Sequence, residues 1–194
     1  MELIFGTHNA NKVLEIAKLL PSHFKLLSLK DLNHNTAIVE NGATLKENAL
    51  IKAKTIHRLY RKNCFADDSG LEVKALNGAP GVYSARYAGN HKSDEDNTVK
   101  LLHNLKNFSD RSAQFRTVIA LIFDQKEYFF EGIVGGEIAL QASGKNGFGY
   151  DPIFIPKQKN ISFGQMSLLE KNKISHRARA FEKLIQFLKS KNSF

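Results

Sequence analysis

Tryptophan is absent from this chain, cysteine occurs once, methionine twice and proline four times. A single cysteine, Cys64, closes no internal disulfide and has no CxxC partner, so neither a disulfide scaffold nor a cysteine-based metal site is open to the chain. Its setting in Asn-Cys-Phe-Ala-Asp-Asp suggests a small residue buried in a strand rather than a reactive thiol. Nowhere does the chain approach the roughly eighteen consecutive apolar residues that a membrane span needs, and no basic segment followed by an apolar run stands at its start. A cytoplasmic location is the expectation. Neither G-x-G-x-x-G nor G-x-x-x-x-G-K-[ST] occurs, which removes the dinucleotide-binding fingerprint and the P-loop. There is no internal repeat and no low-complexity linker, so the 194 residues are expected to form one domain, 1–194.

Acidic residues are in deficit: 19 Asp and Glu stand against 28 Lys and Arg, a net charge of +9. Much of the excess lies from Lys157 onward, where nine basic residues face only Glu170 and Glu182. That asymmetry suits an anionic partner such as nucleic acid, an acidic membrane surface or a polyphosphate small molecule, and it also suits a solvated basic helix face. A hydrophobic content of 42% and a charged content of 24% are ordinary for a globular protein.

Chemistry is concentrated between Phe65 and Gly89. Phe65 and Ala66 are expected to finish a buried strand, with Asp67, Asp68, Ser69 and Gly70 emerging where the sheet ends, the edge at which open α/β sheets collect ligands. Successive strand residues face opposite sides, so the two carboxylates should play different parts, one binding or catalysing while the other caps or braces. An acidic turn is the alternative at this point. At the start of the chain, Glu2–Phe5 reads as a strand, Gly6–Lys12 as a loop, and Val13, Ile16, Ala17 and Leu20 as the apolar stripe of a helix. Such a junction aims free backbone N–H groups and the positive end of a helix dipole at an anion, with Lys12 adding a full charge. A simple N-cap at Asn9 would produce the same pattern.

Farther along, Phe24–Leu29 reads as a second strand. Thr44-Leu45-Lys46-Glu47 fits a capping box opening a helix with Leu45, Ala49, Ala53, Ile56 and Tyr60 on one stripe. Glu40, in the loop before it, has no evident structural duty. Ser93–Asp96 begins a helix whose buried side is expected to carry Val99, Leu102 and Leu105. Ala113–Phe123 and Glu127–Gly132 make an antiparallel hairpin, and Ile133–Ala139 continues the sheet, with Gly135-Gly136 allowing a bulge or a close ligand. In Ser143–Pro152, three glycines within six residues permit tight turns, while Phe148 and Tyr150 offer faces to stack on a base or aromatics to fill a core. Ser167–Glu170 is another capping box, and Ala178, Phe181, Leu184, Ile185 and Leu188 give the last helix its stripe, with His176 and Arg177 at its first turn. The pattern implies a mixed α/β fold in which an antiparallel lobe follows an α/β lobe, with a cleft between the lobes as the natural site.

Five motifs in order, Thr7–Lys12, Ala66–Leu71, Gly78–Arg86, Gly147–Pro152 and Ser175–Arg177, closely resemble the inosine triphosphate pyrophosphatase family, the Ham1-like house-cleaning nucleotidases. The resemblance implies an elongated mixed central sheet with flanking helices, and hydrolysis of non-canonical purine nucleoside triphosphates (ITP, dITP, XTP) to monophosphate and pyrophosphate. It also implies a Mg²⁺ cofactor, a homodimer, and no stable nucleic-acid or membrane partner. It makes Asp68 the catalytic carboxylate and a metal ligand, with Glu40 sharing the metal. Thr7, His8, Asn9, Ala10, Asn11 and Lys12 would hold the triphosphate and Ser69 would touch substrate. Phe148, Gly149, Tyr150, Asp151, Lys171, His176 and Arg177 match base- and nucleotide-binding positions. His8 departs from the Gly that many members carry there, and a rotated side chain with the site retained is expected. Two other readings are a pyrophosphatase of modified pyrimidine nucleotides and a nucleic-acid-binding module built on the basic C-terminal region, against which the Asp67-Asp68 pair argues.

Overall fold

The computed structural model describes the chain except residues 18, 19, 21, 92 and 192–194, and except the side chains of Asn11 and Glu15. In order, the elements are β1 (Glu2–Phe5), α1 (Ala10–Ala17), β2 (Lys25–Ser28), α2 (Leu45–Tyr60), β3 (Cys64–Val73), α3 (Asp94–Asn104), β4 (Ser112–Phe123), β5 (Lys126–Ile138), β6 (Phe154–Pro156), α4 (Leu168–Ile174) and α5 (His176–Ser190). Short 3₁₀ turns fall between β3 and α3 and on either side of β6. One sheet has the order β2-β1-β3-β4-β5-β6, with β1 parallel to β2 and β3 and β5 antiparallel to β6. The contacts divide the chain into two units, one of Met1–Asp68, Thr117–Glu131 and Arg179–Phe194, the other of Ser69–Arg116 and Gly132–Ala178.

The first unit follows directly from strand alternation. A parallel strand covered on both faces is apolar throughout, and Leu3, Ile4, Phe5, Cys64, Phe65 and Ala66 are all fully buried. On one face Leu3, Phe5, Phe65, Ile119 and Leu121 pack with Ala180, Phe181, Leu184 and Leu188 of α5. Phe5 and Phe65 stack at 4.5 Å, and both meet Phe181 edge-on at 5.9 and 5.7 Å. On the other face Ile4, Cys64, Ala66, Ala120 and Ile122 pack against Ala49, Ala53 and Ile56 of α2. The stripes expected for α2 and α5 are thus those that close the two sides of this sheet. Burial pushes the Cys64 thiol up to about 12, which leaves it a protonated core residue.

In the second unit Leu71, Val73, Phe115, Val134, Ile138, Tyr150, Phe154 and Phe163 form the core. Three expectations change here. The sheet does not end at Asp67, because β3 runs on through Asp68, Ser69 and Gly70 to Val73. Helix α3 turns Asn97, Thr98 and Leu101 inward while Val99 is 60% exposed. Asn97 is the reason: its side chain accepts from the Ala88 amide and donates to the Ala85 carbonyl, tying the preceding loop to the helix. The segments expected as Glu127–Gly132 and Ile133–Ala139 are one strand, β5, joined to β4 through Asp124 and Gln125, both at positive φ (49° and 63°), as the primed hairpin turns require.

Gly136 allows a close approach, but of a strand rather than a ligand: a Cβ there would lie 2.2 Å from the Ile155 carbonyl oxygen of β6. Gly136→Ala is therefore expected to displace β6 and to cost about 1–3 kcal/mol, measurable as a lowered denaturation midpoint with an unchanged m-value.

Candidate active site

Two groups of chemistry-bearing side chains form, one in each unit. In the first, β1 delivers the chain into the loop before α1. The Asn9 side chain accepts from the Lys12 amide at 3.3 Å and Thr7 Oγ1 accepts from the Asn9 amide at 3.2 Å, which fixes the helix start. The first turn of α1 holds no acidic residue, so its N-terminal field is not neutralised from within. Thr7 is half-buried, and His8, Asn9 and Ala10 are exposed. The His8 ring is turned toward a neighbouring segment, its Nε2 lying 3.3 Å from the Thr36 carbonyl and its centroid 6.0 Å from that of His34. The side chain of Asn11 lies outside the described residues.

Although β3 does not end where expected, its alternation separates the two carboxylates as anticipated. Asp67 faces α1, with its side chain fully buried and Oδ2 2.7 Å from Lys12 Nζ. Asp68 faces α2, accepting a hydrogen bond from Asn48 Nδ2 at 3.2 Å, with Oδ1 3.6 Å from Lys52 Nζ. Lys52 Nζ is also 2.5 Å from Glu40 Oε2. Glu40 thus has a partner after all, and the loop carrying it is pinned. Asn48 Oδ1 accepts from the Gly42 amide at 2.8 Å, and Glu47 accepts from the Ala43 amide at 2.7 Å.

Neither Lys52 nor Asn48 was singled out from the sequence. A signal existed: the two stand four residues apart beside the apolar stripe of α2, where polar side chains would be buried, and they are only 8% and 1% exposed.

Burial is the main influence on Asp68 and raises its carboxyl above the ordinary range. Lys52 opposes this, Glu40 adds to it, and Lys12 and the Asn48 hydrogen bond oppose it further. Asp68 is therefore a carboxyl group held where a proton is welcome.

The second group is built around Phe148, half-buried in the glycine loop. Lys171 Nζ lies 4.8 Å and Arg177 Cζ 5.3 Å from the centre of its ring. Asp151, 2% exposed, accepts from Lys171 Nζ at 2.7 Å and from the Phe148 amide at 2.9 Å. Gly147 is needed for this: at φ +78° a Cβ would fall 2.1 Å from the same Asp151 oxygen. His176 stacks on Phe115 at 4.6 Å and 12°, and the Gly149 amide donates to Asp94 at 2.7 Å.

For Tyr150 the structure selects the core-filling alternative over the stacking face. It is 3% exposed within the core, its hydroxyl donates to the Ser84 carbonyl at 2.9 Å, and burial pushes its phenol above the usual range. Lys171, His176 and Arg177 are all buried, so part of the basic C-terminal charge is interior rather than a solvated face. Ser69 follows Asp68 on β3 and is half-buried.

Solved structures with this fold include the Ham1 protein of Staphylococcus aureus, at a TM-score of 0.92 and 41% identity over 99% of this chain and 100% of that one. A HAM1 protein from Coxiella burnetii matches at a TM-score of 0.92 and 39% identity, over 98% of this chain and 99% of that one. The Ham1 family model matches residues 3–187, and the chain belongs to the Ham1 family. A relative from Christiangramia forsetii is 54% identical over 97% of this chain and 99% of its own length. One from Flavobacterium psychrophilum is 48% identical over 98% of this chain and 100% of its own. Both relatives are named dITP/XTP pyrophosphatase.

The raised proton affinity of Asp68 fixes the sign of its effect on stability. A group whose folded pKa exceeds its unfolded one takes up a proton on folding, so its contribution is most favourable below the ordinary carboxylate range and is lost as pH rises through the folded value. Asp68→Asn is thus expected to retain or raise the melting temperature at neutral pH and to flatten its decline with pH above the carboxylate range. Thermal unfolding across pH checks this, and a drop in melting temperature at neutral pH would show that Asp68 holds the fold together.

Proposed function

We propose that this protein hydrolyses non-canonical purine nucleoside triphosphates, dITP, XTP and ITP, to the nucleoside monophosphate and pyrophosphate. The observation that carries the reading is Asp68, a largely buried carboxylate of raised proton affinity set beside Glu40 and Lys52, in a chain 54% identical to a dITP/XTP pyrophosphatase.

The reading assigns the carboxylate group to the triphosphate. Asp68 and Glu40 share one cation partner, Lys52, and the neighbouring Glu40 adds to the raised proton affinity of Asp68. Two carboxylate oxygen donors fit Mg²⁺, which keeps several waters and is usually held by one or two carboxylates together with substrate phosphates. When bound, the ion would neutralise phosphate charge. The protein's own share is positioning and proton handling. Asp68 accepts a proton from the attacking water at a carboxylate oxygen, a role that typically contributes about 10²–10⁴-fold. Lys12, held by Asp67, and the N-terminal field of α1 offset charge on the phosphates.

Phe148, flanked by the cationic groups of Lys171 and Arg177, is assigned to the base. Stacking tolerates any base, so selectivity rests on polar readout. A 6-oxo group accepts from the donors of His176 or Arg177, whereas adenine's 6-amino group would leave a buried donor facing a donor. Mg²⁺ as the metal, a homodimer as the working assembly, the cytoplasm as the compartment and a single functional domain complete the reading, all by family resemblance.

Incubation with ITP, dITP, XTP, ATP, GTP and modified pyrimidine triphosphates, with identification of products, is the direct test. Pyrophosphate with strong preference for the 6-oxo purines is expected. Orthophosphate release, or equal rates on ATP and ITP, would sink the proposal. Asp68→Asn should lower kcat by about 10²-fold or more in a folded protein. Phe148→Ala should weaken nucleotide binding by about 10–100-fold, the loss of one stacked base being worth roughly 1–3 kcal/mol, with a smaller effect on kcat, as read from separate KM and kcat values.

A further inference from the structure

The proposed metal position already holds a cation that belongs to the protein. Lys52 reaches it from α2, its side chain only 11% exposed, with Nζ 2.5 Å from Glu40 and 3.6 Å from Asp68. A buried ammonium with two carboxylates in reach has little reason to leave them, since an uncompensated buried charge is costly. We propose that Lys52 is an internal counter-ion that competes with a divalent cation for Glu40 and Asp68, so that the nucleotide-free protein is kept weakly metal-binding.

The physical basis is charge balance. Two carboxylates alone present a doubly negative site. With Lys52 in place the site is singly negative, and a divalent ion must enter against an ammonium a few ångströms away. At an effective dielectric of about 20 the repulsion between charges at such a distance is worth several kcal/mol per charge product, enough to change affinity by orders of magnitude. Asn48 does not share this duty, since its amide satisfies Asp68 without adding charge. Lys52 therefore sets the threshold for metal entry, a role separate from any contact it makes with substrate. The inference rests on the reading that Glu40 and Asp68 hold the metal.

Both can be tested with Mn²⁺ alone, its binding to the nucleotide-free protein followed by electron paramagnetic resonance at about pH 8, well above the carboxylate range. Weak binding is expected for the wild type. Lys52→Met is expected to tighten it by about tenfold or more, and Lys52→Arg, which keeps the charge, to leave it weak. Should Lys52→Met fail to fold, Lys52→Gln removes the charge while preserving a polar tip, with the same expectation. Unchanged or weaker Mn²⁺ binding on loss of the Lys52 charge, together with loss of binding in Asp68→Asn and Glu40→Gln, would overturn the counter-ion role and leave the metal assignment standing. Mn²⁺ binding that survives both Asp68→Asn and Glu40→Gln would overturn the metal assignment itself, and the counter-ion role with it.

Discussion

Two partly buried ion pairings on opposite faces of one strand are the constraint around which the first unit is arranged. Strand β3 carries Asp67 toward α1 and Lys12, and Asp68 toward α2, where Lys52 also reaches Glu40. Burying carboxylate and ammonium groups rarely stabilises a fold, because desolvation offsets most of the Coulomb gain. Hydrophobic residues of similar size would pack the same space at less cost. The apolar layers built from Phe5, Phe65 and Phe181 on one face and Ile4, Ala53 and Ile56 on the other supply the surplus burial that lets this polar seam persist. A raised proton affinity at Asp68 is the mark of that conflict, and such conflicts are characteristic of sites that do chemistry.

The second unit resolves a similar problem around an aromatic ring. Asp151 ties down both the Phe148 amide and Lys171, so the loop conformation and the position of the cation are set by a single buried carboxylate. Gly147 is the backbone condition for it, and the core anchors the loop through Tyr150. The ring of Phe148 is left flanked by two cations rather than sunk in the core, which is the disposition a planar, electron-rich ligand can exploit.

Much of this was legible in the chain. Strand β1, helices α2, α4 and α5 and the β4–β5 hairpin follow from apolar periodicity and capping residues, because these signals are local and the sheet reinforces them. Alternation also separated Asp67 from Asp68 correctly, even though the strand was expected to stop before them. It continues because Leu71 and Val73 supply further buried side chains, which outweighs the turn propensity of Asp, Ser and Gly. Val99 faces outward against expectation, and Tyr150 takes the core-filling of its two readings, for a common reason. Residue type does not say which face a neighbouring segment will claim, and here Asn97 took the inward position to tie a loop, while Tyr150 found both a core and a hydrogen-bond acceptor.

By itself the sequence determined which residue types stand beside one another: adjacent carboxylates on a strand, an unneutralised helix start with a lysine, a glycine-rich aromatic loop and the motifs that mark the family. Those are matters of spacing along a chain with fixed periods of two and 3.6. Only the tertiary structure decided which charges meet. Lys12 and Asp67 are 55 residues apart and Lys171 and Asp151 are 20 apart, and no local rule pairs them. Lys52, an unremarkable residue beside a helical stripe, becomes the cation shared by Glu40 and Asp68 because packing α2 against β3 brings its largely buried ammonium within reach of both carboxylates.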